Sequence, residues 1–378
     1  MSIVYVPALL SGLEHQVKND KLWNDFDAGW FTDRSIYYHP HLLTSYYYAY
    51  KIPDYKKALK IKKEACLWTD SGGFSVATKG KQLDPREVLA WQEDNADIAF
   101  ILDFPPANFI GGDRTSQGKF TELSPKELEE KAIKTARNSE VYAKYRTPGK
   151  MLLYNIIQGS TLKYMDIWWK HNGHFPFEGH ALGTRPSFDA LFQASKLAFL
   201  HSKGVRKRVH MLGLSGLRVI PAIAWMSKHV DWISFDSTSY GRGSLNRTYF
   251  LPHKINSHIS FGNDYVKGSM KKLPCKCPVC ILVKPDDLAA EKTWPGTLIA
   301  LHNLYIIREC VGELNASIDN ETLFRTKVTE LTGEPYHNSM TAQAIEFFEL
   351  YLSKGIDEAY LRYFPGKTQN QHTQRALF

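Results

Sequence analysis

The stretch ACLWTDSGG (65–73) is a short apolar run that ends in an aspartate and two glycines, and a helical pattern follows it. The same arrangement recurs along the chain, so we expect strands and helices to alternate. In these runs the side chains on both faces of a strand would be apolar, which is typical of parallel strands covered on both faces. The other runs are IVYVPALL (3–10), IAFILDFPP (98–106), MLLYNIIQGS (151–160), FEGHALGT (177–184), RVHMLGLSG (208–216) and DWISFDSTS (231–239).

Helix signals lie between these runs. Asp84 and Ser124 are each followed by a proline, as expected for an N-cap and the first helical position. No glycine-rich dinucleotide fingerprint follows any of the strands, which favours a closed barrel over an open doubly wound sheet. We therefore predict an α/β fold, a single (β/α)₈ TIM-type barrel over residues 1–378, with a flexible tail at 366–378.

Composition indicates a globular protein, with 43% hydrophobic and 23% charged residues. No apolar run reaches the roughly 18 residues of a membrane span, and the first residues do not resemble a secretory signal, so we expect a cytoplasmic protein without a membrane partner. The net charge is +8 and the pI is near 9.0. The basic runs 54–63, 201–210 and 265–276 are either solvated faces or parts of one phosphate-binding surface.

Polar residues or glycines end five of the apolar runs. Barrel enzymes assemble their active sites at this rim, the C-terminal ends of the strands. Aspartates and glycines also cap strands and begin turns, but five in succession indicate a site. The five are Asp70, Asp103, Gln158, Gly183 and Asp236.

The carboxylates suit cleavage of a glycosidic bond. This reaction needs an anion on one side of the sugar and a proton donor for the leaving group, and Asp236 and Asp70 are placed to be such a pair. Asp103, followed by Pro105 and Pro106, makes a third. An aspartate in a dry pocket can also accept paired hydrogen bonds from the N–H groups of a purine.

The stretch LPCKCPVC (273–280) holds three of the five cysteines. They could form a redox device, a disulfide or part of a metal site. The cysteine count does not resemble the even framework of a small secreted domain, and such a cluster in a reducing cytosol more often binds metal.

Several motifs together resemble one known family. TDSGGFS (69–75), ILDFPP (101–106), IIQGS (156–160), ALGT (181–184), MLGLSG (211–216), FDS (235–237) and the cysteine cluster occur in the order, and at roughly the spacing, of the tRNA-guanine transglycosylases. The resemblance runs from about residue 65 to 310. It implies a base exchange on a zinc-bearing (β/α)₈ barrel.

The resemblance implies a role for each matching residue. Asp236 matches the nucleophile that attacks the ribosyl C1′ and holds the sugar covalently, and Asp70 matches the general acid/base for the departing and arriving base. Phe74 would stack on the base, and Leu212 lies where the family usually has a methionine on the opposite face. The remaining expected contacts to the base come from Asp103, Gln158, Ser75, Gly183 and Thr184.

The cysteine cluster then becomes a structural zinc site. Cys275, Cys277 and Cys280 would supply thiolates, and His302, on a helix that follows, would supply the fourth ligand of a closed tetrahedral shell. A redox cluster or a buried core histidine remains the alternative. We expect residues 265–313 to form a zinc-binding subdomain and expect no organic cofactor.

The chain departs from the family around the polynucleotide. Ser75 and Thr184 replace a usual glutamine and glycine, the loop after Asp236 is changed, and an aromatic segment (35–50) stands near the N-terminus. These changes favour the branch that exchanges guanine in DNA for a 7-deazaguanine, such as 7-cyano-7-deazaguanine. The segment 35–50 could then stack a displaced strand, or it could pack in the core.

Other interpretations stay open. A tRNA substrate is the alternative to DNA, and a non-catalytic nucleic-acid-binding subunit is the alternative from another class. Three carboxylates facing a phosphate backbone argue against the binding subunit. A homodimer and a phage origin are both compatible with the sequence.

Overall fold

The computed structural model describes residues 2–10, 26–73, 82–110, 119–183, 188–214, 216–262, 265–290 and 294–365. Eight strands within them form one parallel sheet, and two hairpins stand apart from it. The sheet strands are β1 (Ile3–Pro7), β2 (His41–Ser45), β3 (Cys66–Asp70), β4 (Ile98–Phe100), β7 (Leu152–Ile157), β8 (Gly179–Leu182), β9 (Arg208–Met211) and β10 (Trp232–Ser237); the hairpins are β5 (Ala107–Ile110) with β6 (Lys119–Glu122), and β11 (Thr248–Leu251) with β12 (Lys254–Ser260).

The sheet curls into a nearly closed barrel. Its strand order is β1-β10-β9-β8-β7-β4-β3-β2. From β2 to β10, barrel strands that are consecutive in the sequence are therefore neighbours in the sheet, and β10 also pairs with β1. A parallel bridge between Ala8 and Leu43 joins the two edge strands, and the Leu9 N–H donates to the Leu43 carbonyl at 2.7 Å. The (β/α)₈ prediction is therefore confirmed.

Helices connect the strands, as the capping residues predict. The Asp84 carboxylate accepts from the Arg86 N–H at 2.7 Å, and Ser124 forms a capping box with Glu127. The helices are α1 (Tyr46–Ala49), α2 (Tyr55–Ala58), α3 (Pro85–Asn95), α4 (Pro125–Tyr145), α5 (Leu162–Asn172), α6 (Ala190–Ser202), α7 (Ile220–Met226), α8 (Ser239–Leu245), α9 (Pro285–Leu288), α10 (Trp294–Ser317), α11 (Glu321–Thr332), α12 (Met340–Lys354) and α13 (Ile356–Tyr363), with 3₁₀ turns at Leu217–Val219, Ser227–His229 and Tyr336–Asn338.

The aromatic segment 35–50 contains β2, the barrel strand that the sequence did not indicate. The strand pairs with β3 over its full length. Tyr46, which follows it, is buried against Trp91 with ring centroids 5.7 Å apart. Tyr48 is 50% exposed. Much of the segment is thus barrel wall, and Tyr48 is its most exposed tyrosine.

Aromatic rings fill the barrel interior below the rim. Trp68 on β3 has no exposed surface and contacts Phe100 on β4 and His210 on β9, with ring centroids 6.1 and 5.1 Å apart. This buried aromatic layer lies directly beneath the rim residues. Among the described helices, none is long and apolar enough to cross a membrane.

The predicted domain boundaries, including the subdomain at 265–313, stay predictions. The cysteine loop lies between β12 and α10, and α10 packs against α8 and β1. The expected tail at 366–378 lies outside the described residues.

Candidate functional site

The barrel brings six of the predicted residues to its C-terminal rim. Asp70 ends β3, Asp236 is the fifth residue of β10, and Asp103 lies three residues beyond the end of β4. The other three directly follow their strands: Gln158 after β7, Gly183 after β8 and Leu212 after β9. Phe74, Ser75 and Thr184 lie outside the described residues.

Asp236 is held by two hydrogen bonds on one carboxylate oxygen. Its Oδ1 accepts from the Gly213 N–H at 2.7 Å and lies 3.1 Å from Nε2 of His210. Gly213 has a φ of +63°, a conformation that costs glycine little, and this turn aims its N–H at the carboxylate. The side chain of Asp236 is only 11% exposed. Its carboxyl group is therefore held in one orientation just below the rim.

Asp70 faces the carboxyl group of Asp236. Burial, and then the negative charge of Asp236, raise the pKa of Asp70 to about 6. The Gly72 N–H donates to Asp70 Oδ2 at 3.2 Å. Gly72 has a φ of +88°, and a side chain there would meet Tyr47. Asp70 can therefore hold or release a proton near neutral pH, which a general acid/base needs.

Asp103 and Gln158 form a second buried unit beside Asp70. Gln158 Nε2 donates to Asp103 Oδ2 at 2.8 Å, and both residues are 6% exposed. Burial, together with the charge of Asp70, raises the pKa of Asp103 to about 7, against the opposing hydrogen bond from Gln158. A β-carbon at Gly73 would lie 2.5 Å from Asp103 Oδ1. Backbone thus approaches this carboxyl closely.

The structure adds two residues that sequence reasoning missed. His210, two residues before Leu212, links Asp236 to Ser234. Lys196 on α6 is 2% exposed and donates from Nζ to the Gly183 carbonyl at 2.8 Å. Burial lowers the pKa of Lys196 to about 7. The available signal was a polar residue in a run that is otherwise apolar.

Leu212 lies among the rim residues and is half-buried against the core. Its N–H donates to the Leu182 carbonyl at 3.0 Å. An apolar side chain here could cover one face of a flat ligand.

A separate cluster brings together Cys275, Cys277, Cys280 and His302, whose ligand atoms all lie within 4.8 Å of one another. Nδ1 of His302 is 3.4 Å from Sγ of Cys277 and 3.3 Å from Sγ of Cys280. Two ligands of a tetrahedral zinc, one sulfur and one nitrogen, are roughly 3.5 Å apart, from the usual bond lengths. This Cys3His cluster fits a metal ion.

The surroundings of the Cys3His cluster also fit a metal. His302 has no exposed surface, and its Nε2 lies 2.8 Å from the Phe250 carbonyl, which fixes the tautomer with Nδ1 free to bind. Tyr249 stacks on His302 with ring centroids 3.7 Å apart, and its hydroxyl is 3.1 Å from Sγ of Cys280. The histidine is therefore oriented for coordination, which a core histidine does not require.

Together these features define a class of protein: a parallel α/β barrel with an acidic, partly dry site at its C-terminal rim and a candidate metal centre after the last barrel strand. Such a rim can hold a nucleophilic carboxylate and a second carboxyl that exchanges a proton.

Comparisons with known proteins agree with this class. No family model matches the chain. The chain is similar to the tRNA-guanine(15) transglycosylases of Methanococcus aeolicus (26% identity over 328 residues, 82% of this chain and 46% of the relative), Methanocaldococcus jannaschii (26% over 301 residues, 75% and 42%) and Thermococcus onnurineus (26% over 330 residues, 83% and 52%). It spans about half the length of the curated relatives it matches. These matches agree with the resemblance to the tRNA-guanine transglycosylase family that the motifs indicated.

These relatives bear on the DNA prediction. Each of the three is named for tRNA. The DNA substrate favoured by the altered loops has no support among them, whereas the tRNA alternative has.

Proposed function

We propose that this chain is a pentosyltransferase that exchanges guanine in tRNA through a covalent aspartyl–sugar intermediate. The observation that carries the proposal is the grouping of Asp236, Asp70 and Asp103 at one rim, in a chain related to enzymes named for this exchange. The electrostatic influence of Asp236 on Asp70, and of Asp70 on Asp103, is expected of carboxyls that share one site.

The first half of the exchange replaces the base by the enzyme. A carboxylate oxygen of Asp236 forms a bond to the ribosyl C1′ while the bond from C1′ to the glycosidic nitrogen breaks, and its electron pair goes to the base. Asp70 supplies the proton to the departing guanine. In the second half an incoming base gives its proton to Asp70, attacks C1′, and returns the electron pair to Asp236.

Base recognition is assigned to the second buried unit. Ionised Asp103 can accept two N–H groups of guanine, and Gln158 can both donate and accept along the same edge. Phe74 and Leu212 would cover the two faces of the ring, with Ser75 and the Gly183–Thr184 backbone at its border.

The metal that suits the Cys3His cluster is zinc. With four protein ligands its shell is closed, so bound zinc would stabilise the loop between β12 and α10. Lys271, Lys272 and Lys276, beside the cysteines, suit contacts to phosphates.

The test is incorporation of radiolabelled guanine into unmodified tRNA and into duplex DNA, side by side, with Asp236→Ala as the blank. Label in tRNA that depends on Asp236 is the expected result. Label in DNA alone would replace tRNA by the DNA substrate. Equal label with the blank in both would favour the binding subunit. Competition by unlabelled 7-cyano-7-deazaguanine then tests the incoming base.

A further inference from the structure

His210 contacts the carboxylate of Asp236 from inside the barrel. It lies on β9 with no exposed surface, with Nε2 3.1 Å from Asp236 Oδ1 and Nδ1 2.8 Å from Ser234 Oγ. A carboxylate oxygen only accepts hydrogen bonds, so Nε2 carries the proton and donates it. In a neutral ring, Nδ1 then accepts from the Ser234 hydroxyl. The chain of donors runs from Ser234 through His210 to Asp236.

Packing fixes the orientation of this ring. The ring centroid of His210 is 5.1 Å from that of Trp68 and 4.8 Å from that of Phe100, and both aromatic residues are fully buried. The ring has no room to turn within this close-packed layer. Its Nε2–H therefore points at one place, which is Oδ1 of Asp236.

Both hydrogen bonds that the described residues make to the Asp236 side chain fall on Oδ1. One comes from His210 and the other from the Gly213 N–H. Two donors on one oxygen hold the carboxylate plane and lower the nucleophilicity of that oxygen. The other oxygen, Oδ2, keeps its electron pairs for reaction.

A serine, a histidine and an aspartate in one hydrogen-bonded chain also form the arrangement of a serine nucleophile. Burial excludes that assignment. Ser234 has no exposed surface and lies two residues before Asp236 on β10, deeper in the barrel. A substrate at the rim reaches Asp236 first, so the serine acts through the histidine.

We infer that His210 is a positioning residue that holds Oδ1 of Asp236 and presents Oδ2 to the sugar. The inference rests on the proposed function, in which Asp236 is the nucleophile. When Oδ2 bonds to C1′, Oδ1 becomes the carbonyl oxygen of the ester and keeps both donors. When the incoming base attacks C1′, the electron pair of the C1′–Oδ2 bond returns to the carboxylate, which the two donors stabilise as a leaving group.

The test compares His210→Met, which keeps an apolar side chain of similar length but removes the donor, with His210→Gln, which can donate from near the position of Nε2. We expect His210→Met to lower kcat for guanine exchange roughly 10- to 150-fold, the effect of one hydrogen bond to a charged group, with the KM for guanine within about twofold of wild type. His210→Gln should recover most of this loss.

The covalent protein–tRNA adduct that survives denaturation provides a second readout. It should accumulate in His210→Met, because the carboxylate that must leave has lost a donor. A merely structural histidine would instead lower the melting temperature, with KM rising as kcat falls and no specific recovery by glutamine.

Wild-type kcat in His210→Met, or equal losses in the Met and Gln variants, would overturn the inference. If His210→Met does not fold, Ser234→Ala serves, since it removes the donor to Nδ1 at the far end of the chain. A several-fold fall in kcat at constant KM is expected there, and an unchanged kcat overturns the inference. Exchange that persists in Asp236→Ala would instead refute the proposed function.

Discussion

Replacing Gly183 by alanine should separate base recognition from the fold. Gly183 follows β8, and a β-carbon there would lie 2.5 Å from Cδ of Gln158 and closer still to its amide atoms. The end of a glutamine side chain can move, so we expect the barrel to fold. The amide must then leave its place, and its hydrogen bond to Asp103 Oδ2, 2.8 Å long, is lost.

The size of the effect follows from what the amide contributes. A hydrogen bond to a charged group is worth about 1.5–3 kcal/mol, which corresponds to roughly 10- to 150-fold in a dissociation constant. If Gln158 and Asp103 read guanine as a unit, Gly183→Ala should weaken guanine binding by this factor. The Asp236–His210 unit lies on other strands, so the chemical step at saturating guanine should change much less.

The assay is equilibrium binding of guanine to the full chain, with thermal unfolding measured in parallel. Gly312→Ala is the matched control, because Gly312 lies in α10 and a β-carbon there meets nothing within 4 Å. The control should bind guanine as wild type does, and alanine should stabilise its helix by up to about 1 kcal/mol. Guanine binding in Gly183→Ala within twofold of wild type would refute the reading of Gln158 and Asp103 as one recognition unit.

Three further predictions concern charge and metal. The pKa of Asp103 is raised to about 7, so its contribution to stability is lost as the pH rises through 7, and Asp103→Asn should raise the melting temperature at pH 8 but not near pH 4. In the proposed recognition guanine binds ionised Asp103, so the dissociation constant of guanine should rise about tenfold per pH unit below 7, a slope that Asp103→Asn should abolish. Cys280→Ser should lower bound zinc and the melting temperature, whereas Cys66→Ser, outside the cluster, should leave the zinc content unchanged in the same metal analysis.

The barrel could be predicted because most of its strands carry apolar side chains on both faces. The run at 65–73 and the six similar runs of this chain satisfy this pattern, and each contains a strand of the sheet. Strand β2 was not predicted, because HLLTS (41–45) is short and lies among tyrosines that also suit a stacking surface. The two hairpins were not predicted because their strands pair apart from the barrel sheet, outside the alternation of apolar runs and helices.

The acidic residues could be predicted because each ends its own run, where local sequence is sufficient. The role of His210 could not be predicted, because it depends on which residues of β9 and β10 lie opposite each other. It pairs with Ser234 across β9 and β10, 24 positions apart in the chain, and only that pairing brings its ring beneath Asp236. The Cys3His cluster lies between these cases: the spacing of the cysteines is local, and the long helix α10 carries His302 back to them.

The raised pKa values also answer an objection to a nucleic-acid substrate. Three carboxylates at one rim would repel a phosphate backbone if all were ionised. Burial and mutual repulsion bring the pKa of Asp70 to about 6 and that of Asp103 to about 7, so part of this charge is absent at neutral pH. Asp236 accepts two hydrogen bonds on Oδ1, from His210 and from the Gly213 N–H. The site thus carries less negative charge on Asp70 and Asp103, the residues proposed to exchange a proton and to read the base, and a binding subunit would not require this reduction.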